Sequence, residues 1–116
     1  MTKVIYFTTS QGENPVEHFL DSLEKKDKAK IIRILRYVEI YELITVLPHV
    51  KKLTGTPFWE IRILGKSNIR VLYVTLQKEN ILLVHGFLKK KQKTPIKEIE
   101  IAVNRVRDWQ NRTNTT

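Results

Sequence analysis

Ile69 to Leu88 reads IRVLYVTLQKENILLVHGFL. Both ends of this stretch, Ile69–Leu76 and Ile81–Leu88, are rich in β-branched and aromatic residues, and Gln77-Lys78-Glu79-Asn80 between them is polar enough to turn the chain back. Two long strands so joined form the centre of an antiparallel sheet. Upstream, Trp59, Ile61 and Ile63 alternate with Phe58, Glu60, Arg62 and Leu64, a period of two that predicts another strand, with Gly65-Lys66-Ser67 as its turn. The three strands make a meander. On its far side Thr94-Pro95 starts a helix whose Ile96, Ile99, Val103 and Val106 recur at helical spacing.

The N-terminal half has a different rhythm. Lys3 to Phe7 predicts a short strand, broken at Gln11-Gly12-Glu13. Asn14 is placed to cap a helix, with Pro15 in its first turn and Glu17 completing a capping-box-like pair. Val16, Phe19, Leu20 and Leu23 line one face of that helix. Asp27 is read as the cap of a second helix with a stripe of Ile31, Ile34, Leu35, Val38 and Tyr41, ending by Pro48. The expected order is β-α-α-β-β-β-α. It implies an α+β fold in which a helical hairpin and a C-terminal helix pack a mostly antiparallel sheet. Residues 1–112 are expected to form one domain with 113–116 outside it, and the polar tail Asn111–Thr116 is expected to fray.

With 116 residues, 41% of them hydrophobic, the chain can bury one core without staples. It has no cysteine, which excludes disulfides, thiolate metal sites and a thiol nucleophile. Val4-Ile5-Tyr6-Phe7 is too short for the apolar core of a signal peptide, and no apolar run is long enough to span a bilayer, so a soluble cytoplasmic protein is expected. The net charge is +9, and its distribution is uneven. Residues 49–97 hold eleven Lys/Arg against Glu60 and Glu79, whereas the remainder has ten bases and ten acids. A localised positive potential of this kind suits a polyanion.

The segments Lys51-Lys52-Leu53, Phe58-Trp59-Glu60-Ile61-Arg62-Ile63 and Ile69-Arg70-Val71-Leu72-Tyr73 occur in an order that resembles the RelE/HigB-like toxins of toxin–antitoxin systems, especially their phage-related HigB-like branch. The most specific match is His85-Gly86-Phe87-Leu88-Lys89-Lys90-Lys91-Gln92-Lys93-Thr94-Pro95, followed by Glu98-Ile99 and Ala102. The resemblance covers nearly the whole chain. It implies a RelE-like microbial RNase fold, cleavage of mRNA in the ribosomal A site, and a cognate antitoxin, often of helix-turn-helix type, that silences the enzyme. It implies no cofactor, metal or membrane partner.

Metal-free RNA cleavage uses the 2′-hydroxyl as nucleophile, so the protein must align it, move its proton, stabilise a phosphorane and protonate the leaving oxygen. Fixed cations supply much of this. Arg70 interrupts the most apolar strand, where a charge is costly unless it is paired, as with Glu60, or functional. The resemblance assigns it to the scissile phosphate. Arg62 is either a solvated partner of Glu60 or a second phosphate ligand on the open face. Lys51 and Lys52, read as loop residues, are expected to hold phosphate or to activate the hydroxyl. His85 is either a proton shuttle or a satisfied core histidine. Phe87 stands where several relatives have a tyrosine; lacking a hydroxyl, it can only stack on a base. That leaves the general acid to Lys90, Lys91 or His85. The run Lys89, Lys90, Lys91 and Lys93 is expected to bind phosphates, in mRNA or ribosomal RNA. His18, His49 and His85 have no metal-ligand spacing, and no phosphate-binding glycine loop or nucleophile elbow occurs. Trp109 is read as a packing or partner-contact residue. The competing readings are a same-fold toxin that poisons gyrase, a non-catalytic RNA-binding module, and an inactive toxin remnant.

Overall fold

The computed structural model describes residues 2–42, 49–63 and 68–113. The expected turn at 65–67 and the last three residues of the polar tail lie outside the described residues; the second helix ends at Tyr41, with Glu42 as its cap, ahead of position 48 as expected. The elements in order are β1 (Val4–Tyr6), α1 (Pro15–Asp21), α2 (Lys25–Tyr41), β2 (Val50–Lys52), β3 (Trp59–Ile63), β4 (Ile69–Thr75), β5 (Ile81–Leu88) and α3 (Ile96–Thr113). One five-stranded sheet has the order β1-β5-β4-β3-β2, with β1 parallel to β5 and the other pairs antiparallel. The α+β class and the meander are as expected.

Both faces of the sheet are covered, which is why β4 and β5 are buried along almost their whole length. The hairpin of α1 and α2 covers one face with Val16, Leu20, Ile31, Ile34, Leu35 and Val38, against Ile61, Ile69, Val71, Tyr73, Ile81 and Leu83. On the other face, Phe58, Leu72, Val74, Leu82, Val84 and Phe87 pack with Phe7 and with Ala102, Ile99, Val103 and Val106 of α3. Trp109 belongs to this second cluster, its ring tilted against Phe7 at 6.3 Å.

The odd-numbered residues of β5 begin on the hairpin side, where Ile81 and Leu83 lie, and Phe87 ends on the α3 side. The cause is a bulge. Tyr73 pairs with Leu83, but its neighbour Leu72 pairs with His85, so Val84 is an extra residue in β5. The bulge exchanges the faces of the strand and carries His85 and Phe87 to the α3 side. Gly86 then faces the hairpin, where a Cβ would stand 2.2 Å from Cδ2 of Phe19. Only glycine lets α1 approach β5 this closely.

Five expectations need correction. Lys51 and Lys52 are on a strand, β2, rather than a loop; paired to the edge of β3, it completes the sheet. α2 begins two residues before Asp27, because the carbonyl of Glu24 accepts from the N–H groups of Asp27 and Lys28; Asp27 sits in the first turn, where a negative charge suits the helix dipole. Tyr41 is 56% exposed and lies against Tyr37, so the buried stripe of α2 stops at Val38. Ile96 is 73% exposed, and the apolar stripe of α3 begins at Ile99. α3 continues through Asn111–Thr113, held by Arg112 Nε donating to Asp108 at 3.0 Å and the Thr113 hydroxyl donating to the Trp109 carbonyl at 2.7 Å. Elsewhere the reading of caps holds: the Asn14 side chain accepts from the N–H of Glu17 at 3.0 Å and donates to its carboxylate at 3.1 Å.

Gly86→Ala should lower stability by about 1–3 kcal/mol by forcing Phe19 and α1 off β5. Phe19→Leu in the same chain should recover part of the loss. Urea melts of both variants check this; a Gly86→Ala protein that melts with the parent would show that Phe19 yields freely.

Candidate nucleic-acid interface

Residues opposite each other in neighbouring strands share a face. In the pairing register Lys51 faces Glu60, Glu60 faces Leu72, and Leu72 faces His85; one row along, Arg62 faces Arg70 and Arg70 faces Phe87. Leu72 and Phe87 pack under α3, so both rows lie on the α3 side of the sheet. The sheet thus brings Lys51, Arg62 and Arg70 together from three strands. Lys89, at the end of β5, belongs to the same group: burial pushes its ammonium below the usual lysine range, Glu60 opposes that shift, and Arg70, Lys51 and Arg62 add to it.

Two arginines directly opposite each other repel. Glu60 supplies the countercharge. It is fully buried, its Oε1 lies 3.2 Å from Arg70 Nε, and its Oε2 accepts from the Thr94 hydroxyl at 2.7 Å. Arg70 is 6% exposed and donates from Nη1 to the carbonyl of Ile69 at 3.1 Å. The alignment of the pair is nonetheless poor: Glu60 Oε1, Arg70 Nε and Arg62 Nε are all buried without a hydrogen-bond partner among the described residues. One carboxylate therefore serves a group of four cations, with hydrogen-bonding capacity left over.

Lys52 is on the other face. As the neighbour of Lys51 in a strand it points the opposite way, its Nζ donating to the carbonyl of Thr56 and lying 5.8 Å over the ring of Trp59. The structure thus brings Lys51 to Arg70 and turns Lys52 away. Lys90, Lys91 and Lys93 are exposed on the irregular segment between β5 and α3. Phe87 is 5% exposed, stacked on the His85 ring at 5.4 Å, so its faces are occupied and it offers no platform for a base.

His85 is held at both ring nitrogens by α3. Nε2 lies 2.9 Å from Glu98 Oε1, and Nδ1 lies 3.2 Å from Arg105 Nη1, which also donates to the carbonyl of Val84 at 2.9 Å. Arginine can only donate, so Nδ1 accepts and Nε2 carries the proton given to Glu98. Burial pushes the imidazole below its usual value; the bond to Glu98 opposes this, and the charge of Arg105 reinforces it. His85 is a neutral clasp between sheet and helix in this arrangement. Glu98, Ala102 and Arg105 recur at helical spacing, but apolar periodicity does not show the two polar members, and in the sequence Thr94 signals only a helix start. Among the described residues no group of three His, Asp or Glu is placed to hold a metal ion, and no helix is long and apolar enough to cross a membrane.

A small basic domain with a cationic sheet face, in an architecture compatible with a RelE-like fold, is the class that these features define. The family model described as Phage derived protein Gp49-like (DUF891) matches residues 18–107, and the chain belongs to that family, a RelE/HigB-like toxin family of toxin–antitoxin systems. A comparison with curated proteins found no match.

The His85 clasp makes stability depend on pH. Its value is lower in the folded state than the ~6.5 of a free imidazole, so its contribution is complete above that value. As pH falls below ~6.5 the unfolded chain takes up the proton first, and stability drops until the folded value is passed. Urea melts at stepped pH should show a steeper acid loss for the parent than for His85→Gln between pH 7 and pH 5, a window set on the same imidazole value. Parallel slopes would remove His85 as a source of the dependence.

Proposed function

We propose that the protein is the toxin of a toxin–antitoxin pair and acts as a ribosome-dependent, metal-independent mRNA endoribonuclease, silenced by an antitoxin of helix-turn-helix type. The observation that supports this best is the apposition of Arg62 and Arg70, flanked by Lys51 and Lys89, with Glu60 as their countercharge. In the reaction the RNA 2′-oxygen attacks phosphorus, its proton leaves to a base, the bond to the 5′-oxygen breaks and that oxygen takes a proton. The products are a 2′,3′-cyclic phosphate and a 5′-hydroxyl. Lys51, Arg62, Arg70 and Lys89 would face the charge that grows on the phosphorane; their positions are set before substrate arrives, which is how fixed cations lower a barrier. Lys90, Lys91 and Lys93 hold neighbouring phosphates, and Lys90 or Lys91 protonates the leaving oxygen. His85 serves by seating α3, whose approach brings Thr94 to Glu60 and so fixes Arg70. The engaged nitrogens of His85 and the covered ring of Phe87 favour a second reading, a non-catalytic RNA-binding module on the same face.

Toeprinting on a translating message should show new 5′ ends inside A-site codons when the protein is added. Protection without cutting would favour the second reading, and equal cutting of naked RNA would refute ribosome dependence.

Arg70→Ala should cut single-turnover cleavage by about a hundred- to a thousandfold. It should also lower stability by about 3–5 kcal/mol, because it strands the buried Glu60 carboxylate. Arg70→Lys keeps the charge without the planar fork and should regain more stability than cleavage. Lys51→Ala, at an exposed position, separates the two effects: it should lose cleavage while melting within about 0.5 kcal/mol of the parent. Full cleavage by Lys51→Ala and Arg70→Ala together would overturn the assignment.

A further inference from the structure

The outer face of α2 has no part in the site described above; it lies beyond the hairpin, on the opposite side of the sheet from α3. Lys25, Lys28, Ala29, Ile32, Arg33 and Arg36 line an open groove of about 420 Å³ along it. The spacing of these residues, three and one in turn, keeps them on one flank of the helix, and Ile40, 64% exposed, stands one turn beyond Arg36 on that side. Ala29, Ile32 and Ile40 make an aliphatic strip, and the bases stand along it. Lys28 is paired with Asp21, whereas Lys25, Arg33 and Arg36 have no carboxylate partner among the described residues.

We propose that this face is the docking surface for an acidic, amphipathic protein segment, laid along α2 with its apolar residues on Ala29, Ile32 and Ile40 and its carboxylates on Lys25, Arg33 and Arg36. An apolar strip rimmed by charge is the anatomy of a protein interface. Bases with no internal countercharge select an acidic partner and repel a basic one. The strip itself, Ala29, Ile32 and Ile40, is aliphatic and gives a base no ring to stack on, which favours apolar protein side chains over RNA. Tyr37 and Tyr41, tilted against each other with 5.8 Å between ring centroids, border the strip, Tyr37 standing one turn from Arg33 and from Ile40. The antitoxin that the toxin family implies is the source of the segment, which ties this surface to the reading above. A partner held here leaves the Lys51–Arg70 face uncovered at its point of attachment, so tethering and inhibition are separable.

The test uses the whole protein, labelled with ¹⁵N, and a designed helical peptide of about 20 residues with leucines at i, i+3, i+4 and i+7 flanked by glutamates. A scrambled peptide of the same composition and a short oligouridylate are titrated beside it. The amphipathic peptide should shift amide signals within residues 25–40 and bind at least about tenfold more tightly than the scrambled one. Arg33→Glu with Arg36→Glu, and separately Ile40→Asp, should each weaken binding by about tenfold or more while leaving the melting temperature and RNA cleavage as in the parent. Shifts centred on residues 51, 62 and 89–93, equal binding of the scrambled peptide, or oligouridylate shifting the α2 signals more strongly would each overturn the proposal. The peptide-binding readouts do not depend on cleavage, so loss of the RNase reading and loss of the α2 surface are told apart.

Discussion

Arg62 and Arg70 stand opposite each other on adjacent strands, and Glu60 is fully buried beside Arg70. Each side of this arrangement needs the other. Bare, the carboxylate would cost several kcal/mol to keep out of water, and without it the arginines would push their strands apart. Much else follows from that mutual dependence. Thr94, which ends the lysine-rich segment, is tied to Glu60, so the start of α3 is anchored to the charge pair. β2 sets Lys51 opposite the same carboxylate. A single acidic side chain thus organises the meander, the segment after it and the helix that closes that face.

The second constraint is the bulge in β5. Had the strand continued its alternation from Ile81 and Leu83, His85 and Phe87 would lie in the apolar hairpin core. The extra residue turns both to the α3 side, where Glu98 and Arg105 complete the hydrogen bonding of the ring. It also brings Gly86 under Phe19, so close packing of α1 and the polar clasp on α3 arise from one irregularity of the backbone.

Much of the fold could be read from periodicity, because the long elements carry their patterns in their own residues: Ile31, Ile34, Leu35 and Val38 on α2, and the β-branched run of β4. The strand at Val50–Lys52 could not. Three residues, two of them lysines, are too short to show alternation, and pairing with β3 is what makes them a strand. The side of Lys51 and Lys52 depended on that pairing, so local reading could not tell which of them meets Arg70. Glu60 was visible as a possible partner of Arg70, since both lie in alternating segments, but the depth of its burial is a tertiary fact. The bulge was hidden because Ile81 to Val84 is apolar throughout, and a run with no alternation carries no parity to lose. Glu98 and Arg105 escaped for the opposite reason: they are polar residues on the covered side of a helix judged by its apolar ones.

The two outer strands of the sheet, β1 and β2, have three residues each. An unpaired strand edge is a template on which another chain can add its own backbone, and shortness together with lysine is how natural sheets discourage it. β2 has both, in Lys51 and Lys52. The lysine that faces the buried carboxylate therefore also guards the rim against self-association. An apolar residue at position 51 would open a seam for aggregation as well as remove a cation from the group around Glu60.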